Sequence, residues 1–165
     1  MIGSPGVGKT YFAKRLAAHI NSHHYNLDDC YWQKDWIRPK YNEWQTTLEQ
    51  LLKKGAWVID GNYHQSLSLR LRHADIVILL RKNKLVCLYG FIKRSVKRFL
   101  YLEALPKQVG SCRRFKLNWR FMRFIYSFDK EVLPKMFEQI SAQNTKLIEL
   151  RGEKAIHQFL KECKS

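Results

Sequence analysis

A glycine-rich stretch near the start of the chain carries the strongest chemical signal in the sequence. Its eight residues match the phosphate-binding pattern G-x-x-x-x-G-K-[ST] in full. Glycines let the backbone turn so that its N–H groups meet phosphate oxygens, and the next helix directs its positive dipole end at the same anion. The lysine of this pattern contacts the β- and γ-phosphates, and the threonine hydroxyl binds Mg²⁺. The predicted phosphate-binding set is Gly3, Ser4, Pro5, Gly6, Val7, Gly8, Lys9 and Thr10; the alternative is an ordinary glycine-rich turn.

An acid at the end of an apolar stretch is the second candidate. Asp60 closes the run WVID, which reads as a buried strand. Open α/β folds bind ligands at the carboxyl edge of the sheet, and an acid there can hold Mg²⁺ in phosphate-binding proteins. We therefore predict that Asp60 and Thr10 serve the metal. The alternative is an aspartate that caps a turn before Gly61.

Two further acids follow the stretch HHYNL. Asp28 and Asp29 are expected to end a strand over residues 23–29, where one carboxylate could accept a proton from an attacking hydroxyl or position an acceptor. Asp28 is the preferred catalytic candidate because it follows apolar Leu27, whereas Asp29 is expected to be solvated. For the pair, the alternative is turn chemistry.

A basic helix supplies the last charged candidates. Arg94 and Arg98 lie four residues apart, so they share a helix face and could together neutralise transferring phosphate charge. The alternative is a solvated basic face. Arg113, Arg114, Arg120 and Arg123 are weaker candidates, although Arg120 and Arg123 could face the same cleft.

Five tryptophans divide into two groups. Trp44 and Trp57 are predicted to be core residues. The stretch YWQKDW, which holds Trp32 and Trp36, forms either an apolar wall for a ring-shaped acceptor or the packing of a lid. The stripe Phe115, Trp119, Met122 and Tyr126 has helical spacing and is predicted to pack rather than stack on bases.

Predicted strands and helices alternate along the chain, and these elements must position the candidate residues. The alternation predicts a three-layer α/β fold with a parallel sheet of about five strands. Strands are expected at 23–29, 56–60, 74–80 and 146–150. Helices are expected at 11–20, 41–54, 85–101 and 153–163, with one or two more over 112–137 and a break near Pro134. Residues 102–112 read as a mobile loop. Residues 1–165 are treated as one domain, with a basic, lid-like segment at about 93–123.

The strand expected before the glycine-rich stretch has only Met1 and Ile2 to form it. Two explanations stand side by side. The domain has a stub, in which case the first strand should be short and the centre of the sheet underpacked, or the recorded start is internal. The second explanation is preferred at this point.

Bulk composition limits the class of protein. With 165 residues and 45% apolar residues the chain can bury a core, and no apolar run reaches the roughly 20 residues of a membrane span. Its four scattered cysteines favour a reducing, cytoplasmic setting over a disulfide framework. The net charge of +16 is concentrated, since residues 93–123 hold ten basic residues and one acid. Such a field attracts polyanions, so nucleic acid is a possible partner.

Several spaced motifs together resemble the DNA topology modulation protein family. They run in order from residue 2 to about 160: GSPGVGKT, LDxxxW (27–32), DW (35–36), EW (43–44), WVIDGNY (57–63), LxLRLxxAD (67–75) and the lid arginines. Members of this family look like small P-loop kinases similar to adenylate and shikimate kinases. The resemblance implies a nucleoside-monophosphate-kinase-like fold with a helical lid, and ATP binding.

By this resemblance residues 3–10 hold the ATP phosphates, Thr10 and Asp60 serve Mg²⁺, and Asp28 faces the acceptor. Arg94 and Arg98 become lid arginines, and Arg70 becomes either an acceptor contact or a strand-cap partner. The chain departs from the family in its nearly absent first strand and in the strongly basic lid stretch GSCRRFKL.

Taken together, the sequence predicts a kinase that passes the γ-phosphoryl of MgATP to a small hydroxyl or phosphate acceptor near Asp28 and Trp32. Catalysis would rest on Lys9, Asp28, Arg94 and Arg98. One alternative is a nucleotide-binding protein that contacts nucleic acid through its basic surface. Another is an ATP-binding protein without turnover.

Overall fold

Five strands and the helices between them make up the described chain. The computed structural model describes residues 1–32, 37–103 and 119–163. Within them the strands are β1 (Ile2–Gly3), β2 (His23–Asn26), β3 (Trp57–Asp60), β4 (Ile76–Arg81) and β5 (Lys146–Arg151). The helices are α1 (Lys9–His19), α2 (Leu27–Tyr31), α3 (Tyr41–Leu52), α4 (Leu67–Leu71), α5 (Lys84–Glu103), α6 (Trp119–Glu131), α7 (Leu133–Ala142) and α8 (Gly152–Glu162). The predicted mixed α/β class is confirmed.

All strand pairs are parallel. One set has the order β1-β4-β5, and β2 pairs with β3 in a second set. Met1 connects the two sets, because its backbone nitrogen donates to Ile59 O at 2.7 Å and its carbonyl accepts from Gly61 N at 3.3 Å. The spatial order is therefore β2-β3-β1-β4-β5, and the carboxyl ends of these strands meet at one edge.

Helices cover both faces of the sheet, since side chains alternate along β4. Ile78 and Leu80 pack with α1, α5 and α8, whereas Val77 and Leu79 pack with α4 and α7. A third cluster joins α2, α3 and β3, and it buries Trp44, Leu48, Leu51 and Leu52 as the helical spacing predicts. Among the described residues, no helix is long and apolar enough to cross a membrane.

Two sequence-based interpretations are wrong. The strand predicted over 23–29 stops at Asn26, whose side chain accepts the Asp28 N–H at 2.8 Å and so starts a helix that buries Leu27. The aromatic stripe of α6 is also shifted. Trp119 is 75% exposed and Tyr126 is 58% exposed, because Ile125 and Phe128 form a more apolar face.

The remaining boundaries agree closely with the predictions, with one refinement near Pro134. This residue lies in the first turn of α7, where a missing N–H costs nothing, and α7 continues beyond Phe137 to Ala142. Trp57, predicted as core, is half-buried. Of the loop predicted at 102–112, residues 102 and 103 instead form the end of α5. The rest of that loop, the predicted helix start before Trp119, Phe115 of the predicted stripe, and Trp36 lie outside the described residues.

Strand β1 has two residues and is flanked by a cavity. This cavity of about 320 Å³ lies beside Met1, between the starts of β3 and β4, and is lined by Val58 and Ile78. Ile20 and Ile76 also line it and remain about half exposed.

The glycine-rich loop after β1 lies directly against α5. A Cβ at Gly6 would collide with the carbonyl oxygen of Cys87, and a Cβ at Gly90 would lie 2.5 Å from the carbonyl oxygen of Gly6. Gly6 also has φ 84°, a conformation that favours glycine. Backbone therefore meets backbone where the loop touches the helix.

Replacing Gly90 should reverse the usual effect of a helical alanine. Gly→Ala within a helix normally stabilises by about 0.5–1 kcal/mol, but the clash with Gly6 should make Gly90→Ala cost about 1–3 kcal/mol. Urea unfolding measures the difference. Gly55→Ala is the control, since no atom lies within 4 Å of a Cβ there. A stabilised Gly90→Ala protein would contradict this packing.

Candidate active site

A cleft of about 420 Å³ lies at the carboxyl edge of the sheet, where the glycine-rich loop, β3, α2, α5 and α6 meet. We call it the loop cleft. Its lining includes Pro5, Gly6, Gly8, Lys9, Thr10, Asp28, Asp60, Asn62, Tyr63, Gly90, Arg94, Phe121 and Phe124. Most of the predicted site residues are thus brought together.

The loop of residues 3–10 connects β1 to α1. Gly8 precedes the helix in a left-handed conformation with φ 100°, which an L side chain rarely adopts. The loop is anchored from outside, since Gly3 N donates to the Asn62 side-chain oxygen at 3.1 Å. Val7 points into the core instead, and Gly3 and Ser4 are buried. The surface presented to the cleft therefore comes from Pro5, Gly6, Gly8, Lys9 and Thr10.

Lys9 folds back across this loop. Its Nζ donates to Gly3 O at 2.8 Å and to Ser4 O at 3.0 Å. Burial lowers the pKa of Lys9 to about 8, and the positive charge of Arg94 adds to that effect, while Asp60 and Asp28 oppose it. The ammonium group is therefore held in a site that would gain from a nearby anion.

Asp60 is the most deeply buried acid of the cleft, at 2% exposure. Its Oδ2 accepts a hydrogen bond from the Thr10 hydroxyl at 2.7 Å, and its Oδ1 lies 2.6 Å from His24 Nε2. The Asn26 amide in turn donates to Thr10 Oγ1 at 3.2 Å. Strands β2 and β3 and the first turn of α1 thus form one hydrogen-bonded network.

Thr10 and Asp60 fit the chemistry of a magnesium site, since both offer oxygen and lie together. Among the described residues no cluster of three or more His, Cys, Asp and Glu side chains could hold a metal by itself. Mg²⁺ commonly keeps several waters and takes one or two protein ligands together with substrate phosphates. The pair therefore fits a metal that arrives with a nucleotide.

Asp28 lies in the first turn of α2, which corrects its predicted place at a strand end, and it still lines the cleft. Its Oδ1 accepts the Tyr63 hydroxyl at 2.8 Å. Burial and this hydrogen bond raise the pKa of Tyr63 well above its usual range. Asp29 is exposed and is absent from the cleft lining.

Arg70 acts as a strut under the turn that follows β3. The residue is 5% exposed, and its guanidinium donates to the carbonyls of Gly61, Asn62, Tyr63 and Ser66 at 3.0–3.4 Å. Burial lowers its pKa to about 10. Of the two roles considered for Arg70, the contacts match the strand-cap partner.

The other arginines are only partly described. Arg94 lines the cleft from α5. The side chain of Arg98, and all of Arg113 and Arg114, lie outside the described residues. Arg120 and Arg123 are exposed, and neither is part of the cleft lining, where their neighbours Phe121 and Phe124 stand instead.

Sequence reasoning missed His24, Asn26, Asn62 and Tyr63. A signal for the first two was present, because residues two apart on a strand share a face and both precede the same sheet edge as Asp60. Asn62 and Tyr63 stand in the quoted motif after Asp60, but nothing local to them indicated which groups they contact.

No known protein family model matches the chain, and no curated protein sequence matches it. The description of the site therefore rests on its own geometry.

Removing the Arg70 guanidinium should destabilise the protein strongly. Arg70→Met leaves buried carbonyls of the 61–66 turn without a donor, so we expect a loss of about 2–4 kcal/mol in the free energy of unfolding. Arg70→Lys should rescue little, because one ammonium cannot replace the planar fork. Arg72→Met, at an exposed neighbouring position, is the control. If Arg70→Met and Arg72→Met lowered the free energy of unfolding equally, the hydrogen bonds of Arg70 to this turn would have no special role in stability.

Proposed function

We propose that the chain is an ATP-dependent phosphotransferase that uses the loop of residues 3–10 as a P-loop. The observation that carries the proposal is the hydrogen-bonded pair of Thr10 and buried Asp60 beside Lys9. A hydroxyl and a carboxylate with metal-ligand chemistry, a desolvated ammonium and a helix N-terminus converge on one cleft. Each of these groups favours a magnesium-bound polyphosphate.

In the proposed reaction an acceptor hydroxyl oxygen attacks the γ-phosphorus of ATP. A bond forms between that oxygen and the phosphorus, and the bond to the β,γ-bridging oxygen breaks to release ADP. The hydroxyl proton passes to the Asp28 carboxylate, whose Oδ1 is already oriented by Tyr63. Asp28 is exposed on the acceptor side of the cleft, so an incoming hydroxyl can reach it.

Charge on the transferring group is neutralised by the surrounding cations. Lys9 would exchange its bonds to the Gly3 and Ser4 carbonyls for phosphate oxygens, and Arg94 would approach from α5. Thr10 and Asp60 would hold Mg²⁺, which supplies further neutralisation of the β- and γ-phosphates when bound. Participation of Arg98 and closure of a lid over 93–123 stay predictions from the sequence.

This proposal includes three further expectations. They are membership of the DNA topology modulation protein family, a nucleoside-monophosphate-kinase-like fold and a cytoplasmic location. The parallel strand order and the loop at the carboxyl edge support the fold. Contact with nucleic acid is the alternative, and exposed cations of α5 and α6 with exposed Trp119 favour it. The kinase is preferred because a surface for a polyanion does not require a buried Asp60 paired with Thr10.

Replacing Lys9 tests nucleotide binding. MgATP at about 100 times its Kd should stabilise the wild type by about 2.7 kcal/mol, measured as a rise in Tm. Lys9→Ala should lose most of that gain, because the phosphates lose the ammonium of Lys9. Lys14→Ala, on the exposed face of α1, should retain the gain. Full stabilisation of Lys9→Ala by MgATP would overturn the proposal.

Replacing Asp28 tests the chemical step separately. We expect Asp28→Asn to lower kcat for transfer from γ-labelled ATP by about 10²–10⁴-fold, while the gain in Tm from MgATP persists. Asp29→Asn is the matched control, since this neighbouring acid is exposed and lies outside the cleft lining. Acceptors are supplied as pools of nucleosides, nucleoside monophosphates, polyols and small acids. Equal activity of the two variants would remove Asp28 from the reaction.

A further inference from the structure

A second cavity of aromatic character adjoins the loop cleft. It measures about 340 Å³, within the range of roughly 300–1,000 Å³ for small-molecule sites. Its aromatic lining consists of Tyr31, Trp32, Tyr41, Trp44 and Tyr63. Tyr63 lines the loop cleft as well, so the two spaces share a wall. We call the second space the aromatic cavity.

The aromatic rings of this wall hold one another in place. Tyr31 meets Trp32 and Trp44 edge to face, with ring centroids 5.2 and 5.0 Å apart. Tyr63 packs against Tyr31 at 4.7 Å and against Trp44 at 5.7 Å. Trp44, a residue of α3, anchors the group because it is buried in the cluster that joins α2, α3 and β3. A supported aromatic wall is suited to stack on a planar ring.

A few polar groups accompany the rings. His64 and Gln65 line the cavity, and neither side chain has a hydrogen-bond partner among the described residues. The Arg38 guanidinium lies 5.7 Å from the centroid of Trp32. A cavity walled by aromatic rings and edged by polar side chains suits a heteroaromatic ring that carries donors and acceptors on its edge. A polyol or a hydroxylated acid would leave the faces of the aromatic rings unused.

Asp28 lines the loop cleft next to Tyr63, the residue that the two spaces share. Its carboxylate is held 2.8 Å from the hydroxyl of Tyr63, the shared wall. A carboxylate accepts a hydrogen bond from a neutral hydroxyl but repels a phosphate. The acceptor group presented here should therefore be an uncharged alcohol rather than a phosphomonoester.

We propose that the aromatic cavity binds the ring of a neutral heteroaromatic alcohol of the nucleoside class, and that Tyr63 guides the hydroxyl of this compound to Asp28. The proposal rests on the proposed function, since it names the acceptor of that phosphotransferase. Binding of the ring requires no nucleoside triphosphate, so it is measured in the absence of ATP.

Calorimetric titration with single nucleosides at physiological salt tests the proposal. The comparison compounds are ribose, which lacks the ring, and the matching 5′-monophosphates, which carry the repelled charge. Trp32→Leu should weaken nucleoside binding by about tenfold, the loss expected for one stacking contact. Tyr41→Leu, at an exposed position of the wall, serves as a second variant. Trp119→Leu is the control, because this tryptophan is exposed on α6.

Tighter binding of a nucleoside than of ribose and of its monophosphate, weakened in both wall variants and kept in Trp119→Leu, supports the proposal. Three results overturn it: no nucleoside binds, ribose or the monophosphate binds as tightly, or the wall variants bind like the wild type. The gain in Tm from MgATP is recorded on the same samples. If that gain is present while nucleosides fail to bind, this inference falls and the phosphotransferase stands; if it is absent, the proposed function falls.

Discussion

The buried carboxylate of Asp60 is the group on which the site depends. A charge removed from water is costly unless hydrogen bonds compensate it, and here both oxygens are engaged, one by Thr10 and one by His24. Those partners come from α1 and β2, while Asp60 ends β3. The hydrogen bonds of this one carboxylate therefore fix the first turn of α1 and the ends of β2 and β3 relative to one another. They also constrain the loop of residues 3–10, because that loop leads into α1.

The same principle applies to two cations of this region, buried Arg70 and half-buried Lys9. The Arg70 guanidinium donates its hydrogen bonds to carbonyls of the turn that carries Asn62 and Tyr63. It therefore supports the site from below and does not line the cleft. Among the described residues the Lys9 ammonium donates hydrogen bonds to two loop carbonyls, and burial depresses its pKa although the charges of Asp60 and Asp28 oppose that effect. An anion in the cleft would relieve the penalty on Lys9 but not that on Arg70. The difference separates Lys9, the proposed ligand-binding cation, from Arg70, whose contacts are structural.

Local patterns predicted much of this arrangement. The apolar runs predicted β3, β4 and β5. The glycine-rich motif and the acid after an apolar run singled out Lys9, Thr10 and Asp60, which line one cleft. The features that local patterns did not predict depend on long-range contacts or on competition between nearby patterns. Nothing local indicated that position 90 must be glycine, because the constraint comes from Gly6, far away in sequence. Asn26 ends the strand because its side chain accepts the Asp28 N–H. Helix α6 buries Ile125 and Phe128 rather than Trp119 and Tyr126 of the neighbouring aromatic stripe.

Asp28 and Asp60 show how similar groups near one sheet edge can take different roles. Asp60 has both oxygens occupied and almost no exposure, so it cannot readily accept a proton from a substrate and is suited to hold a fixed charge beside Thr10. Asp28 is exposed, and among the described residues only its Oδ1 has a side-chain partner. In the proposed reaction its Oδ2, which has no side-chain partner among the described residues, would meet the hydroxyl. Environment, rather than residue type, would then divide the proposed metal binding and proton transfer between the two aspartates.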